Sequence, residues 1–196
     1  MIFTRLARRV RAHIGQEHRY EHVVRVARTA DVLAMRHSVD TNRARLAGML
    51  HDLARLYSAD RLLRECRERG VTIDRYAAQH PIVLHAPLGA ELARTEFGVT
   101  DSAILCAIAK HTLGDAQMTA LDCILYLADA LEPGREFSDR QALLDVAMDD
   151  LAAGMRATIR SSLEYLRKRN LPLAPQTAQA GLAFGLSPDE LEVCTA

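Results

Sequence analysis

The sequence predicts an all-α protein, and three observations carry that expectation. Apolar residues recur at helical spacing along almost every segment. Capping residues stand where the periodic stretches begin, at Asp40 or Thr41, Ser58, Asp101 and Thr119. No run alternates cleanly enough to be a strand.

Met1 to about His13 reads as a short amphipathic helix with Leu6 and Val10 on one stripe and Arg5, Arg8, Arg9 and Arg11 on a solvated face. A longer helix runs from about Gln16 to His37, where Tyr20, Val23, Ala27, Ala30 and Ala34 keep the spacing. It carries His18 and His22 at i and i+4, on one helix face. His22, flanked by Val23 and Val24, is expected to point inward, and His18, among Glu17, Arg19 and Glu21, outward. No Glu follows His18 directly, which excludes the metalloprotease motif.

The next helix carries His51-Asp52 near its C-terminal end, within the apolar run from Ala47 to Ala54. Ser58 opens a helix that stops at Gly70, a good residue just past a helix end. Residues 71–81 look looser, and Pro81 disfavours helix at His80. His85 lies just ahead of Pro87, which suits the first turn of a helix ended by Gly98. Asp101 caps a helix whose Ile104, Leu105, Ile108 and Ala109 lead into Lys110-His111-Thr112-Leu113-Gly114. Thr119, with Asp122 three positions on, opens a helix over Leu121 to Leu131 that is apolar nearly all round. Asp129 is its one late carboxylate. Glu132-Pro133-Gly134-Arg135 breaks the chain. One long amphipathic helix is then predicted over roughly Ser138 to Arg169, ended by Pro172 and Pro175. From Ala180 the chain reads as a mixed tail, with one last turn at Ser187-Pro188-Asp189-Glu190. The organisation expected is one domain over 1–180 and a C-terminal tail over 181–196.

At 196 residues, 49% apolar, 26% charged and with zero formal net charge, the composition is that of a globular chain. Neutrality gives no general attraction to nucleic acid. Cys66, Cys106, Cys123 and Cys194 form no CxxC pair, which argues against a zinc ribbon or a disulfide framework. Cys106 and Cys123 lie in apolar helical runs and are expected to be buried. No stretch approaches the roughly 18 apolar residues of a membrane span, and no signal-peptide core is visible, so a cytoplasmic setting without a membrane partner is expected.

Chemistry enters through the polar residues that interrupt the apolar helices: His22, His51, Asp52, His85, His111 and Asp129. Taken singly, each reads as a histidine–carboxylate tie between helices. A buried polar group without a partner costs about 2–7 kcal/mol, and six such residues on core-like helices are better explained together by a shared metal site. All six offer N or O donors, which suits iron, manganese, zinc or magnesium over a thiolate-seeking metal.

The order H…HD…H…H…D on an all-helical chain resembles the HD superfamily of metal-dependent phosphohydrolases. Four blocks make the likeness finer: AGMLHDLA at 47–54, LHAPLGA at 84–90, HTLG at 111–114 with MTALD at 118–122, and YLADALEPGR at 126–135. They are similar to the YqeK-like group of symmetrical diadenosine tetraphosphate hydrolases, over about Arg19 to Thr177. The resemblance implies an HD-domain helical bundle with a metal site between core helices. It implies a small-molecule dinucleoside polyphosphate substrate, split into two ADP by a metal-activated water. It makes His22, His51, Asp52 and Asp129 ligands of a divalent metal, iron first, with manganese, magnesium or zinc as alternatives. His51, Asp52, His85 and His111 become the catalytic set, with His85 and His111 holding either a second ion or phosphate. Arg19, Met49, His85, His111, Thr112 and Arg135 match positions near the nucleotide, and Pro175, Gln176 and Thr177 match more loosely a segment that closes over the nucleoside. Arg55 departs from the family pattern, which has Lys there. The alternatives are an HD phosphohydrolase acting on a nucleoside monophosphate, an alarmone or a cyclic dinucleotide, or a non-catalytic nucleotide sensor. The long last helix offers a surface for a homodimer.

Overall fold

The computed structural model describes residues 2–192, and every regular element among them is helical. In chain order these are α1 (Ile2–Ile14), α2 (Glu17–Arg36), α3 (Thr41–Leu50), α4 (Ala59–Glu68) and the short α5 (Arg75–Gln79). A 3-10 turn over Pro81–Leu84 runs into α6 (His85–Thr95), followed by α7 (Ser102–Lys110) and α8 (Ala120–Leu131). The chain continues through α9 (Arg140–Asp149), α10 (Leu151–Arg169), α11 (Pro175–Ala183) and α12 (Pro188–Leu191). Cys194 lies outside the described residues, among which no helix is long and apolar enough to cross a membrane.

The expected caps are in place. Asp40 accepts from the Asn42 and Arg43 amides, Ser58 from Arg61 and Asp101 from Ala103. Thr119 with Asp122, and Ser187 with Glu190, form reciprocal capping boxes. The core gathers around α8, whose Leu121, Ile124, Leu125, Leu127 and Leu131 are buried and which packs on α2, α3, α7 and α10. α2 and α3 meet backbone to backbone, because a Cβ on Gly48 would lie 2.6 Å from the Ala27 Cα. That close approach sets His22 of α2 beside His51.

Several expectations need correction. α3 stops at Leu50, so His51 is its C-cap and Asp52 lies in the turns that follow. The span predicted as one helix over 138–169 is two helices, interrupted by Asp150 in an extended conformation. Its carboxylate caps α10 by accepting from the Ala152 and Ala153 amides, and Gly154 lets α10 fold back closely on Ala147 of α9. α10 ends at Asn170, which takes a left-handed conformation (φ 50°). Residues 71–81 contain α5, and the helix expected to begin near Pro87 begins at His85. α11 continues past Ala180 to Ala183, and Ala180 and Leu186 are buried. Cys66 and Cys123 are buried, but Cys106 is exposed, opposite the inward Ile104, Ala107 and Ile108 of α7.

Candidate metal centre and its adjoining cleft

Four imidazoles converge in the order His22, His51, His111, His85, each ring edge-on to the next at centroid separations of 5.4, 4.9 and 5.1 Å. Three of them are oriented by one device. His51, His85 and His111 each follow a short helix whose last carbonyls lack intrahelical partners, and each Nδ1 donates to the carbonyl three residues back. The acceptors are Gly48 (2.8 Å), Ile82 (2.5 Å) and Ile108 (2.7 Å). This fixes the tautomer and leaves each Nε2 lone pair facing the centre. His22 sits mid-helix, where backbone carbonyls are already bonded. Its Nδ1 donates instead to Glu132 Oε1 at 3.0 Å.

The carboxylates complete the centre. Asp129 Oδ1 lies 3.1 Å from His22 Nε2 and 3.8 Å from His51 Nε2. Asp52 Oδ2 lies 3.7 and 3.5 Å from the same two nitrogens. The other oxygen of Asp52 faces the second imidazole pair, at 3.5 Å from His85 Nε2 and 4.0 Å from His111 Nε2. Asp52 therefore stands between two donor clusters. Arg19 donates to Asp52 at 2.7 Å, and Arg135 donates to the Asp129 side chain at 2.6 Å and to its carbonyl at 2.9 Å.

Burial tends to raise both aspartates, but the nearby imidazoles outweigh it for Asp52, and His22, His51 and Arg135 hold Asp129 well below the usual carboxylate range. Burial, reinforced by neighbouring His111, pushes the His85 imidazole down to about 4, and burial with His51 lowers His111. Neutral imidazole and ionised carboxylate are the forms a metal requires. His85 and His111 bring their Nε2 atoms to 3.2 Å, with Thr112 Oγ1 3.2 Å from both. One hydroxyl hydrogen serves only one of these nitrogens, so the pair calls for a cation or a shared proton.

A divalent metal fits these residues. The Nε2 atoms of His22 and His51 are buried and have no hydrogen-bond partner, which would be costly unless a ligand takes both lone pairs. Donor atoms of His22, His51 and Asp129 lie within 4.8 Å of one another, as do those of His51, Asp52 and His111. Glu132 belongs to this centre by its contacts and was assigned no role in the motif reading. It is 1% exposed, accepts from Arg25 at 2.6 Å and from the Gly134 amide at 2.5 Å, and orients His22 from behind. Its hydrogen bonds outweigh the effect of burial and lower its pKa.

Two confluent cavities adjoin the centre. The smaller, about 310 Å³, is lined by Asp52, His85, His111, Asp129 and the cations Arg19, Arg55 and Arg135. The larger, about 660 Å³, shares Thr112, Tyr126, Ala130, Arg135 and Ser162 with it and widens between the α9–α10 hairpin and the start of α11. Of the expected nucleotide-side residues, Arg19, His85, His111, Thr112 and Arg135 line the smaller cavity, and Thr177 lines the larger. Met49 is packed in the core, 6% exposed, and lines neither cavity. Pro175 starts α11, and Gln176 turns away to donate to Asp74.

Residues 19–134 match the HD domain family model. Among curated proteins, the chain is 35% identical to the symmetrical bis(5'-nucleosyl)-tetraphosphatase of Bacillus subtilis, over 82% of this chain and 86% of that one. It is 33% identical to the protein of the same name from Halalkalibacterium halodurans, over 86% and 89%. Its fold superposes with a TM-score of 0.88 on a crystal structure from Clostridium acetobutylicum described as a predicted HD superfamily hydrolase involved in NAD metabolism. That likeness covers 93% of this chain and 96% of the other at 28% identity.

Proposed function

This chain belongs to the HD domain family, and we propose that it is a symmetrical dinucleoside tetraphosphate hydrolase that releases two ADP from diadenosine tetraphosphate. The carrying observation is the pair of buried, unpartnered Nε2 atoms on His22 and His51, set beside two ionised aspartates that line a cavity together with three arginines. The names of the curated relatives supply the substrate and the bond cleaved.

His22, His51, Asp52 and Asp129 would hold the ion; their N/O donor set suits iron, manganese, zinc or magnesium, and the family resemblance puts iron first. The ion, when bound, supplies an acidified water for attack and Lewis-acid neutralisation of the phosphoryl group. The chain supplies the rest. Asp52 keeps its two oxygens on two donor clusters, and so links the His22–His51 pair to His85 and His111. Those two imidazoles present lone pairs, which suit a second divalent ion or a proton shared with a phosphate oxygen. Arg19, Arg55 and Arg135 bring three fixed positive charges to the polyphosphate, guanidinium being suited to forked contacts with phosphate oxygens. Thr112 donates its hydroxyl hydrogen within the same wall.

The test is anaerobic purification, elemental analysis, and product identification after incubation with diadenosine tetraphosphate. ADP as sole product with bound metal is expected. AMP plus ATP, or no cleavage by a metal-filled protein, overturns the symmetrical assignment. Asp52→Asn keeps the side-chain shape and removes a ligand charge. Because lost support behind a ligand already costs about 10–100-fold, this change should lower kcat/KM by at least about a hundredfold while the circular dichroism spectrum stays helical.

A further inference from the structure

We propose that His13, at the end of α1, is a positioning residue for the metal centre, because it clamps the turn that carries His51 and Asp52. The proposal rests on the metal-centre reading for its chemical consequence, while the clamp is read from contacts outside that centre.

The turn needs outside support. α3 ends at Leu50, and residues 51–56 run as turns. They are closed locally by bonds from the Arg55 amide to the Asp52 carbonyl (3.0 Å) and from the Tyr57 amide to the Ala54 carbonyl (3.1 Å). Asp52 nevertheless has to hold its two oxygens between two imidazole pairs, 3.5 Å from His51 Nε2 and 3.5 Å from His85 Nε2. The next residue is fixed from 40 positions away, since His13 Nε2 lies 2.9 Å from the Leu53 carbonyl oxygen. A carbonyl only accepts, so His13 is the donor and Nε2 carries the hydrogen. Leu53 is buried, which makes its carbonyl depend on that donor.

His13 is itself held in place. Its ring stands edge-on to Phe97, with centroids 5.7 Å apart, and tilted against Tyr57 at 6.4 Å. The guanidinium groups of Arg9 and Arg61 lie over those two rings. Tyr57 ends the same turn, so the ring contacts and the hydrogen bond fasten α1 to the segment that follows Asp52. α6 confines the segment before it, where a Cβ on Gly89 would lie 3.1 Å from the His51 carbonyl oxygen. The carbonyl of the residue before Asp52 is therefore bounded by α6, and that of the residue after it is tied to α1. Between them the aspartate has little freedom to turn away from the imidazoles.

Two variants separate the hydrogen bond from the packing. His13→Phe keeps a ring against Tyr57 and Phe97 and removes the donor, while His13→Gln places an amide N–H near the position of Nε2. A buried carbonyl left without a donor costs a factor of roughly five to a hundred in an equilibrium. The free turn of His13→Phe relaxes to avoid that cost, and a bound ion has to restore it. Chelator competition with Mn2+ should therefore show His13→Phe weakened by a factor of about five to a hundred, and His13→Gln should recover most of the loss. Hydrogen exchange on the metal-free protein reads the clamp without any ion. The Arg55 and Tyr57 amides should exchange faster in His13→Phe than in the wild type or His13→Gln. Unchanged exchange at those amides, or equal Mn2+ affinity in His13→Phe and the wild type, would overturn the proposal. An equal loss in both variants would also overturn it, because ring packing alone would then explain the effect. A wild type that takes up no Mn2+ would overturn the positioning role together with the metal-centre reading. Uptake of Mn2+ without cleavage of diadenosine tetraphosphate would remove the hydrolase assignment alone.

Discussion

The carboxylate of Glu132 orients His22 through Nδ1, while Arg25 and the Gly134 amide hold that carboxylate in turn. Neutralising it leaves a side chain of the same shape that accepts a hydrogen bond less strongly and can present an amide nitrogen to the ring. Glu132→Gln should therefore weaken metal binding by about 10–100-fold without unfolding the protein, since outer-shell partners of metal-bound histidines have effects of that size. Competition against a chelator of known affinity measures it, and an unchanged metal affinity would show that packing alone orients His22. The six inner residues were legible because each is a polar group within, or at the end of, an apolar helical run of the sequence. Glu132 was not, because it follows the last turn of α8 and precedes Pro133-Gly134, where a carboxylate looks like an ordinary solvated chain break. Its burial depends on Arg25, a helix away, and no local pattern carries that information. Met49 was placed near the nucleotide by the family resemblance alone, and its side chain packs in the core and lines neither cavity.

At the scale of the element, the hairpin of α9 and α10 builds one wall of the larger cleft. Leu143 of α9 and Ser161, Ser162 and Tyr165 of α10 all face it, which one straight helix over 138–169 would not permit. Continuous apolar periodicity through Leu144, Ala147, Leu151 and Met155 concealed the break, because it satisfies helical spacing on both sides of Asp150. The signals that mark it are an N-capping aspartate and a glycine four residues later. Asp150→Ala removes the cap and should cost about 0.5–2 kcal/mol. Gly154→Val should cost about 1–3 kcal/mol by overpacking, because even a Cβ would lie 2.7 Å from the Ala147 Cα. Urea unfolding reads both as a lowered midpoint at constant slope. A neutral Gly154→Val would mean that the two helices do not need this close crossing. The starts of the helices were far more legible than this interior break, since a Ser, Thr or Asp cap acts within four residues of itself.

Across the whole molecule, the proposed ligands come from elements distant in sequence: His22 from α2, His51 and Asp52 from the turn after α3, and Asp129 from α8. Sequence order brought them under suspicion, but only the packing of α8 on α2 and α3 brings them to one point. An ion bound by all four links these helices in the folded state and has no preformed site in the unfolded chain. With free metal at a hundredfold its dissociation constant, binding adds about 2.7 kcal/mol of stability. A chain of this size loses roughly 2–4 °C in Tm per kcal/mol, so removing the ion by chelation should lower Tm by about 5–10 °C. Restoring the metal should reverse the shift. His22→Ala deletes a ligand from the helix packed closest to α3, so its Tm should hardly respond to chelator, even though the variant begins from a lower value. A wild-type Tm that stays fixed while elemental analysis records loss of the ion would show that the helices are held by apolar packing alone, with the metal serving chemistry and contributing nothing to the fold.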